Sequence, residues 1–299
     1  MEHEKRKIIL VGGSGLVGSR LKDLLGSEYD IEAYSLGTGF DITRAETLTP
    51  LLRLPSGVTV VHLAAKADVD GCEKDRKLEE EGDAWKINVQ GAQNVADACI
   101  RAGHRMIYVS TDFVFDGEST PEGGYSETDT PNPLNWYGVT KYEGEKKVLA
   151  TTDTHVILRI AYPYRAVFDE KIDFVRAILS RLQKKEEVMA VTDHLMTPTF
   201  VDDIASAVRV IVEHNAEGIY HGVGSSSLSP ADAVSSISKI FSTPPPNIRE
   251  VTRGVFFKDR APRPFNLTLR NDKIRQLGAA MTTFEEGLAK MNSQLSELK

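Results

Sequence analysis

Over residues 7–160, short apolar runs alternate with segments long enough to be helices, and this alternation limits the accessible folds more than any other feature of the chain. Lys7–Val11, Ile31–Ser35, Val58–Leu63, Met106–Ser110 and His155–Ile160 are aliphatic and of strand length, so they read as parallel strands buried on both faces. Between them, 16–25, 85–101 and 137–149 place apolar residues three and four apart, the spacing of helices that cover a sheet. Strand–helix alternation of this kind predicts an α/β architecture with a Rossmann-type, doubly wound parallel sheet. A length of 299 residues suits one large α/β unit or two lobes sharing a cleft.

After Ile160 the rhythm changes. Residues 174–183 and 201–213 read as helices and 218–223 as one further strand. Ser229, Pro230 and Asp232 form a helix start: the serine caps free amides, proline suits the first turn, and the acid favours the positive end of the helix. Pro244, Pro245 and Pro246 are expected to stop that helix, and Thr283 to open a last amphipathic one.

The formal net charge of -7 argues against a nucleic-acid duplex as partner, because that binding needs basic side chains to neutralise phosphates. The charged amino terminus runs into only four apolar residues, Ile8 to Val11, too few for a signal segment or a membrane span; a cytoplasmic location is expected. Cys72 and Cys99 lack the spacing of a disulfide framework or a metal site and read as structural thiols, with no metal expected.

The chemistry begins directly after the first strand, where Gly12, Gly13, Ser14, Gly15, Leu16, Val17 and Gly18 lead into helical sequence. Glycines there let the backbone turn tightly and approach a pyrophosphate, whose charge is met by free amides at the helix N-terminus. At the end of the second strand, where an acid would bond the ribose hydroxyls of NAD, this chain has Ser35; the expected cofactor is therefore NADP(H) in preference to NAD(H), with NAD(H) still accepted. Tyr137 and Lys141 open a long helix four residues apart and so share a face. A lysine there can bind the nicotinamide ribose while its charge favours the tyrosinate, and the Thr111 hydroxyl can hold a substrate carbonyl beside the phenol.

With these residues in this order, the chain resembles the extended short-chain dehydrogenases/reductases, and within them the dTDP-4-dehydrorhamnose reductase group. The segments that carry the resemblance are the glycine loop, Asp41-Ile42-Thr43, Ala64-Ala65 with Val69-Asp70 and Glu73, Asn88-Val89, Ser110 to Gly117, Tyr137-Gly138 with Lys141, Leu158-Arg159, Pro198-Thr199 and Arg263-Pro264. The string Ser-Thr-Asp-Phe-Val-Phe-Asp-Gly over 110–117 is the most specific of them.

The resemblance implies that Thr111, Tyr137 and Lys141 are catalytic. It implies that Gly12, Gly15, Leu16, Val17, Gly18, Asp41, Ile42, Ala64, Ala65, Lys66 and Ser110 lie along the cofactor, and it leaves Asn88 open between a structural and a site role. On the substrate side it points to Thr111, Asp112, Tyr162, His194, Arg260 and Arg263, the two arginines as phosphate contacts. A dinucleotide-binding part over 1–162, with 201–223, would face a smaller substrate lobe from 163–200 and 224–299. The implied reaction is NADPH-dependent reduction of the 4-keto group of a nucleotide-activated 6-deoxy sugar, with a homodimer as one open assembly.

Departures fall where the sugar should bind. After Arg159 the group usually has a tryptophan-containing string, whereas this chain has Ile160-Ala161-Tyr162-Pro163-Tyr164; His194 and Met196 stand where the group carries Gln and Gly; and residues 77–83 form an acidic insert. Two alternatives stay open: a nucleotide-sugar epimerase or dehydratase of the same fold, and a non-catalytic regulatory subunit resembling that of methionine adenosyltransferase, since a fold does not fix its function.

Overall fold

A computed structural model of the chain describes residues 5–298. Among the described residues, ten strands appear in chain order: β1 (Lys7–Val11), β2 (Asp30–Tyr34), β3 (Thr59–His62), β4 (Arg105–Thr111), β5 (Val156–Ile160), β6 (Pro163–Tyr164), β7 (Val188–Val191), β8 (Thr199–Phe200), β9 (Gly218–His221) and β10 (Ile248–Val251). Six of them form one sheet in the order β2-β1-β3-β4-β5-β9, with every neighbouring pair parallel. The α/β doubly wound expectation therefore holds, and the strand expected near 218 completes one edge of the sheet.

Burial explains the strand sequences. One face of the sheet packs Ile8, Leu10, Val61, Ile107 and Leu158 against helices that include Leu16–Leu25 and Val201–Glu213. The other packs Ile9, Val11, Val60, Tyr108 and Ile157 against the helix Gly91–Ala102 and its neighbours. With helices on both faces, the central strands have no polar side to show, which is why they read as continuous apolar runs. A third apolar cluster, including Tyr164, Val175, Leu182, Phe200, Val234, Phe284 and Leu288, gathers the later helices around the two-stranded sheets β6-β8 and β7-β10.

Helix limits follow capping chemistry. Ser229 and Asp232 make a reciprocal capping box at Pro230–Ile240, and Thr283 and Glu286 make another at Phe284–Glu297. The first of these ends at Ile240, before the three prolines rather than at them, because the chain turns through Ser242 at φ 48°. The expected helix over 85–101 is one continuous run from Asp83 to Ala102, but Lys86–Gln90 widens into a π-type turn. The acidic insert is a short, tight helical stretch, Arg76–Glu81, kinked at Glu79.

The sheet's order sets the place of a site. From β1 the chain passes to β2 on one side and then to β3 on the other, so the crossovers diverge at the carboxyl ends of β1 and β3. A crevice opens at such a switch point in α/β sheets.

Candidate active site

The residues flanking this switch point fit a dinucleotide. Gly12 has φ 86°, and a Cβ there would stand 2.6 Å from the Ala64 amide nitrogen, so only glycine lets the turn after β1 lie against the segment after β3. The helix Leu16–Leu25 begins at Gly15 with no side-chain cap, leaving the first-turn amides of Leu16 and Val17 for an anion. The Ser110 hydroxyl is buried with no partner among the described residues, an unmet need that a ribose or amide group would satisfy.

Other residues of the expected cofactor set are held by the protein itself. Asp41 closes its own turn by accepting from the Thr43 amide (3.0 Å) and hydroxyl (2.8 Å), and the Ile42 side chain is buried against Gly91. The Lys66 ammonium turns to Asp75 at 2.7 Å, while its backbone N–H donates to Asn88 Oδ1 at 2.8 Å and its carbonyl accepts from Asn88 Nδ2 at 3.1 Å. Asn88 also donates to the Thr140 hydroxyl at 3.0 Å, so this buried amide ties the loop after β3 to the helix Trp136–Leu149. Ser35 directly follows β2, and its turn is held by its own backbone and Thr38: Thr38 Oγ1 accepts from the Ser35 amide at 2.9 Å and donates to its carbonyl at 2.8 Å.

The catalytic candidates converge at the carboxyl end of β4. Thr111 is the last residue of that strand; its hydroxyl donates to Asp112 Oδ1 at 2.9 Å and accepts from the Phe113 amide at 3.2 Å. The helix carrying Tyr137 and Lys141 starts at Asn135, whose buried side chain caps Gly138 N at 2.9 Å and donates to Pro262 O at 3.0 Å. A Cβ on Gly138 would lie 2.1 Å from the Phe113 carbonyl oxygen, so glycine beside Tyr137 is what allows this helix to touch the end of β4. The rings of Phe113 and Tyr137 meet edge to face with centroids 5.8 Å apart.

Burial governs the electrostatics. Desolvation raises the Tyr137 phenol well above its ordinary pKa, with the Thr111 hydroxyl working in the opposite direction. Lys141 is buried and pushed down to about 7 by desolvation, with Glu145 one turn away opposing the shift. Its ammonium donates to the Val109 carbonyl at 2.8 Å and lies 3.9 Å from the centre of the Tyr108 ring. The expected support of tyrosinate by lysine is thus not made within the protein alone: the ammonium is turned to Val109 and Tyr108. Asp112 is buried and raised to about 7, mainly by desolvation, and its Oδ2 has no partner among the described residues.

On the substrate side, the Tyr162 hydroxyl lies 2.8 Å from His194 Nε2, and His194 Nδ1 lies 2.7 Å from the Pro264 carbonyl. Arg260 and Arg263 both grip Asp70, through Arg260 Nη2 at 2.6 Å and Nε at 2.8 Å and through Arg263 Nη2 at 2.9 Å. Sequence reasoning quoted Asp70 and Phe113 without finding these roles, and it missed Tyr108; the contacts of Tyr108 with Lys141 and of Phe113 with Tyr137 span residues distant in the chain. It also missed His62, a fully buried imidazole stacked on Tyr108 and held near 3 by desolvation, with no bonded ring nitrogen among the described residues. Among the described residues, no group of three or more His, Cys, Asp or Glu could hold a metal ion, and no helix is long and apolar enough to cross a membrane.

Comparison with known proteins is consistent with this geometry. Residues 6–297 match the family model described as RmlD substrate binding domain. The dTDP-4-dehydrorhamnose reductase of Mycobacterium tuberculosis is 30% identical over 268 residues, covering 88% of this chain and 83% of that protein. Methionine adenosyltransferase 2 subunit beta of Mus musculus is 29% identical over 302 residues, covering 95% of this chain and 86% of that protein. Among solved structures, dTDP-4-dehydrorhamnose reductase from Bacillus anthracis in complex with NADP superposes with a TM-score of 0.87 at 30% identity, covering 97% of this chain and 99% of that one. With the switch-point crevice and the Tyr137–Lys141 helix placed as described, the chain belongs to the RmlD substrate binding domain family, within the extended short-chain dehydrogenases/reductases.

Proposed function

We propose that this protein uses NADPH to reduce the 4-keto group of a nucleotide-activated 6-deoxy sugar, with dTDP-4-dehydro-6-deoxy-L-mannose, the precursor of dTDP-L-rhamnose, as the first substrate to try. At the coarser level it is an NAD(P)-dependent oxidoreductase, a sugar-nucleotide reductase of its family. The observation that carries the finer reading is the convergence of Thr111, Tyr137 and Lys141 at the end of β4, beside the switch point.

Bound NADPH supplies the hydride. Tyr137 supplies the proton to the sugar oxygen: its raised pKa keeps the phenol protonated at neutral pH, the form that reduction requires. Thr111, whose hydroxyl acts on the Tyr137 phenol, orients the carbonyl once its proton turns from Asp112 Oδ1 to the sugar oxygen. Lys141, with one N–H on Val109, has further N–H groups for the nicotinamide ribose, and those contacts favour its charged form. Asp112 Oδ2 meets a sugar hydroxyl. Arg260 and Arg263 each hold Asp70 by one edge, which leaves Arg260 Nη1 and Arg263 Nε for the diphosphate.

The test is NADPH oxidation with the 4-keto sugar nucleotide generated in situ. Stoichiometric consumption with a 6-deoxy sugar product supports the reading; conversion without net NADPH loss moves the assignment to an epimerase. A second reading, a regulatory subunit, is favoured by the alignment with methionine adenosyltransferase 2 subunit beta over 95% of this chain. Cofactor binding without turnover, together with capture of a methionine adenosyltransferase catalytic subunit, would support it.

A further inference from the structure

Tyr162 occupies the left-handed region, with φ 41°, at the break between β5 and β6. A residue with a side chain keeps that conformation only when its surroundings over-determine it, and such residues concentrate where a side chain must be aimed. Here the ring is fenced by Phe113 (centroids 6.3 Å apart), Phe174 (5.8 Å, nearly perpendicular) and His194 (5.9 Å). Phe113 also borders Tyr137, so the two phenols flank one aromatic wall.

The hydrogen-bond chain through this ring has only one consistent polarity when His194 is neutral. The Pro264 carbonyl can only accept, so His194 Nδ1 carries the proton and donates at 2.7 Å. His194 is buried, and desolvation lowers its pKa, with Arg253 and Arg263 acting in the same direction and the Pro264 bond opposing them. Its Nε2 is therefore a bare acceptor, and the single phenolic proton of Tyr162 goes to it at 2.8 Å. What Tyr162 has left is an oxygen with lone pairs and no proton to give.

We propose that Tyr162, polarised by the His194–Pro264 chain, is a specificity-determining residue: an acceptor-only contact that selects a sugar ring carrying a hydroxyl donor at the position it faces. This rests on the reading of the cleft as a nucleotide-sugar site. A site whose polar atom needs a donor discriminates against the analogue that lacks one, because the buried acceptor is left unpaired.

Two measurements on the full chain test it. In ¹⁵N NMR of histidine-labelled protein, with the His194 signal assigned by its loss in His194→Gln, the Nδ1–H tautomer is expected. An Nε2–H tautomer overturns the proposal, since Tyr162 would then accept from His194 and turn its own proton outward. The second measurement compares kcat/KM of the parent and of Tyr162→Phe, which keeps the ring contacts, on the 4-keto sugar nucleotide and its 2-deoxy and 3-deoxy counterparts. The substitution is expected to cost about 10-fold on the full substrate, through KM, and to leave one deoxy analogue unaffected, with NADPH affinity unchanged. Equal losses on all three substrates, or none, overturn the specificity role alone. A parent protein that neither binds nor reduces any nucleotide sugar overturns the reductase reading as well.

Discussion

At the residue scale, the site separates two acids by their surroundings. On the proposed mechanism Tyr137 keeps its proton until a developing alkoxide can take it, so Tyr137→Phe is expected to lower kcat by about 10²-fold to 10⁴-fold, the usual worth of a positioned general acid, while NADPH affinity holds because the ring remains. Single-turnover rates and a cofactor titration check both halves; normal turnover would send the search for the proton donor elsewhere. Asp112 gives a signature in stability instead. Its native pKa of about 7 stands above the 3.8 of an exposed carboxyl, so the folded state binds more protons between those values. Its contribution is thus fully present below about pH 4 and is lost as pH rises towards about 7. Asp112→Asn abolishes that titration, and the Tm of the parent should fall relative to the variant across this window. Parallel Tm curves would show that Asp112 does not titrate there.

At the scale of elements, legibility followed the range of the interactions. The helices 16–25, 174–183 and 201–213 could be read from the chain because their periodicity and boundaries are local, and the structure returns those limits. The two-residue strands β6 and β8 and the pair β7–β10 were missed, since each is defined by a partner more than thirty residues away and shows little pattern of its own. The Gly12 turn and the Tyr137 helix were legible as motifs. The reason they meet was not, because it lies in the approach of Gly12 to Ala64 and of Gly138 to Phe113. The end of β2 carries a prediction of its own. The turn at Ser35 is held by backbone and by Thr38, so Ser35→Asp should leave it intact while placing a carboxylate where a 2′-phosphate would lie. The ratio of kcat/KM for NADPH over NADH is expected to exceed one in the parent and to fall below one in the variant; a parent that strongly prefers NADH would sink the idea.

At the scale of the whole molecule, one carboxylate joins parts of the chain nearly two hundred residues apart. Asp70, on the short helix Val69–Asp75 beyond β3, accepts from both arginines and, at 3.1 Å, from the Ala261 amide. The Asn135–Pro262 bond lies next to this anchor, so residues 260–263 are pinned to the helix Val69–Asp75 and to the cap of the helix Trp136–Leu149. Sequence alone offered the arginines as phosphate ligands, which is a statement about charge; their shared partner shows what orients them. Asp70 is half-buried, and the two guanidinium groups hold its carboxyl below the ordinary range against an opposing desolvation. Asp70→Ala leaves two cations without their counter-charge and frees the segment. The Arg260 pairing is exposed and contributes little to stability, but the Arg263 side chain is buried and loses its counter-charge, so the global Tm should fall. Local consequences are expected as well: faster tryptic cleavage after Arg260, and a several-fold rise in KM for the nucleotide sugar, with cofactor affinity unchanged because the Gly12 crevice is untouched. Asp70→Glu, which restores the charge at a different reach, should recover part of the KM. A fall in KM in Asp70→Ala would reverse the reading and mark Asp70 as a competitor for the phosphates rather than the group that positions their ligands.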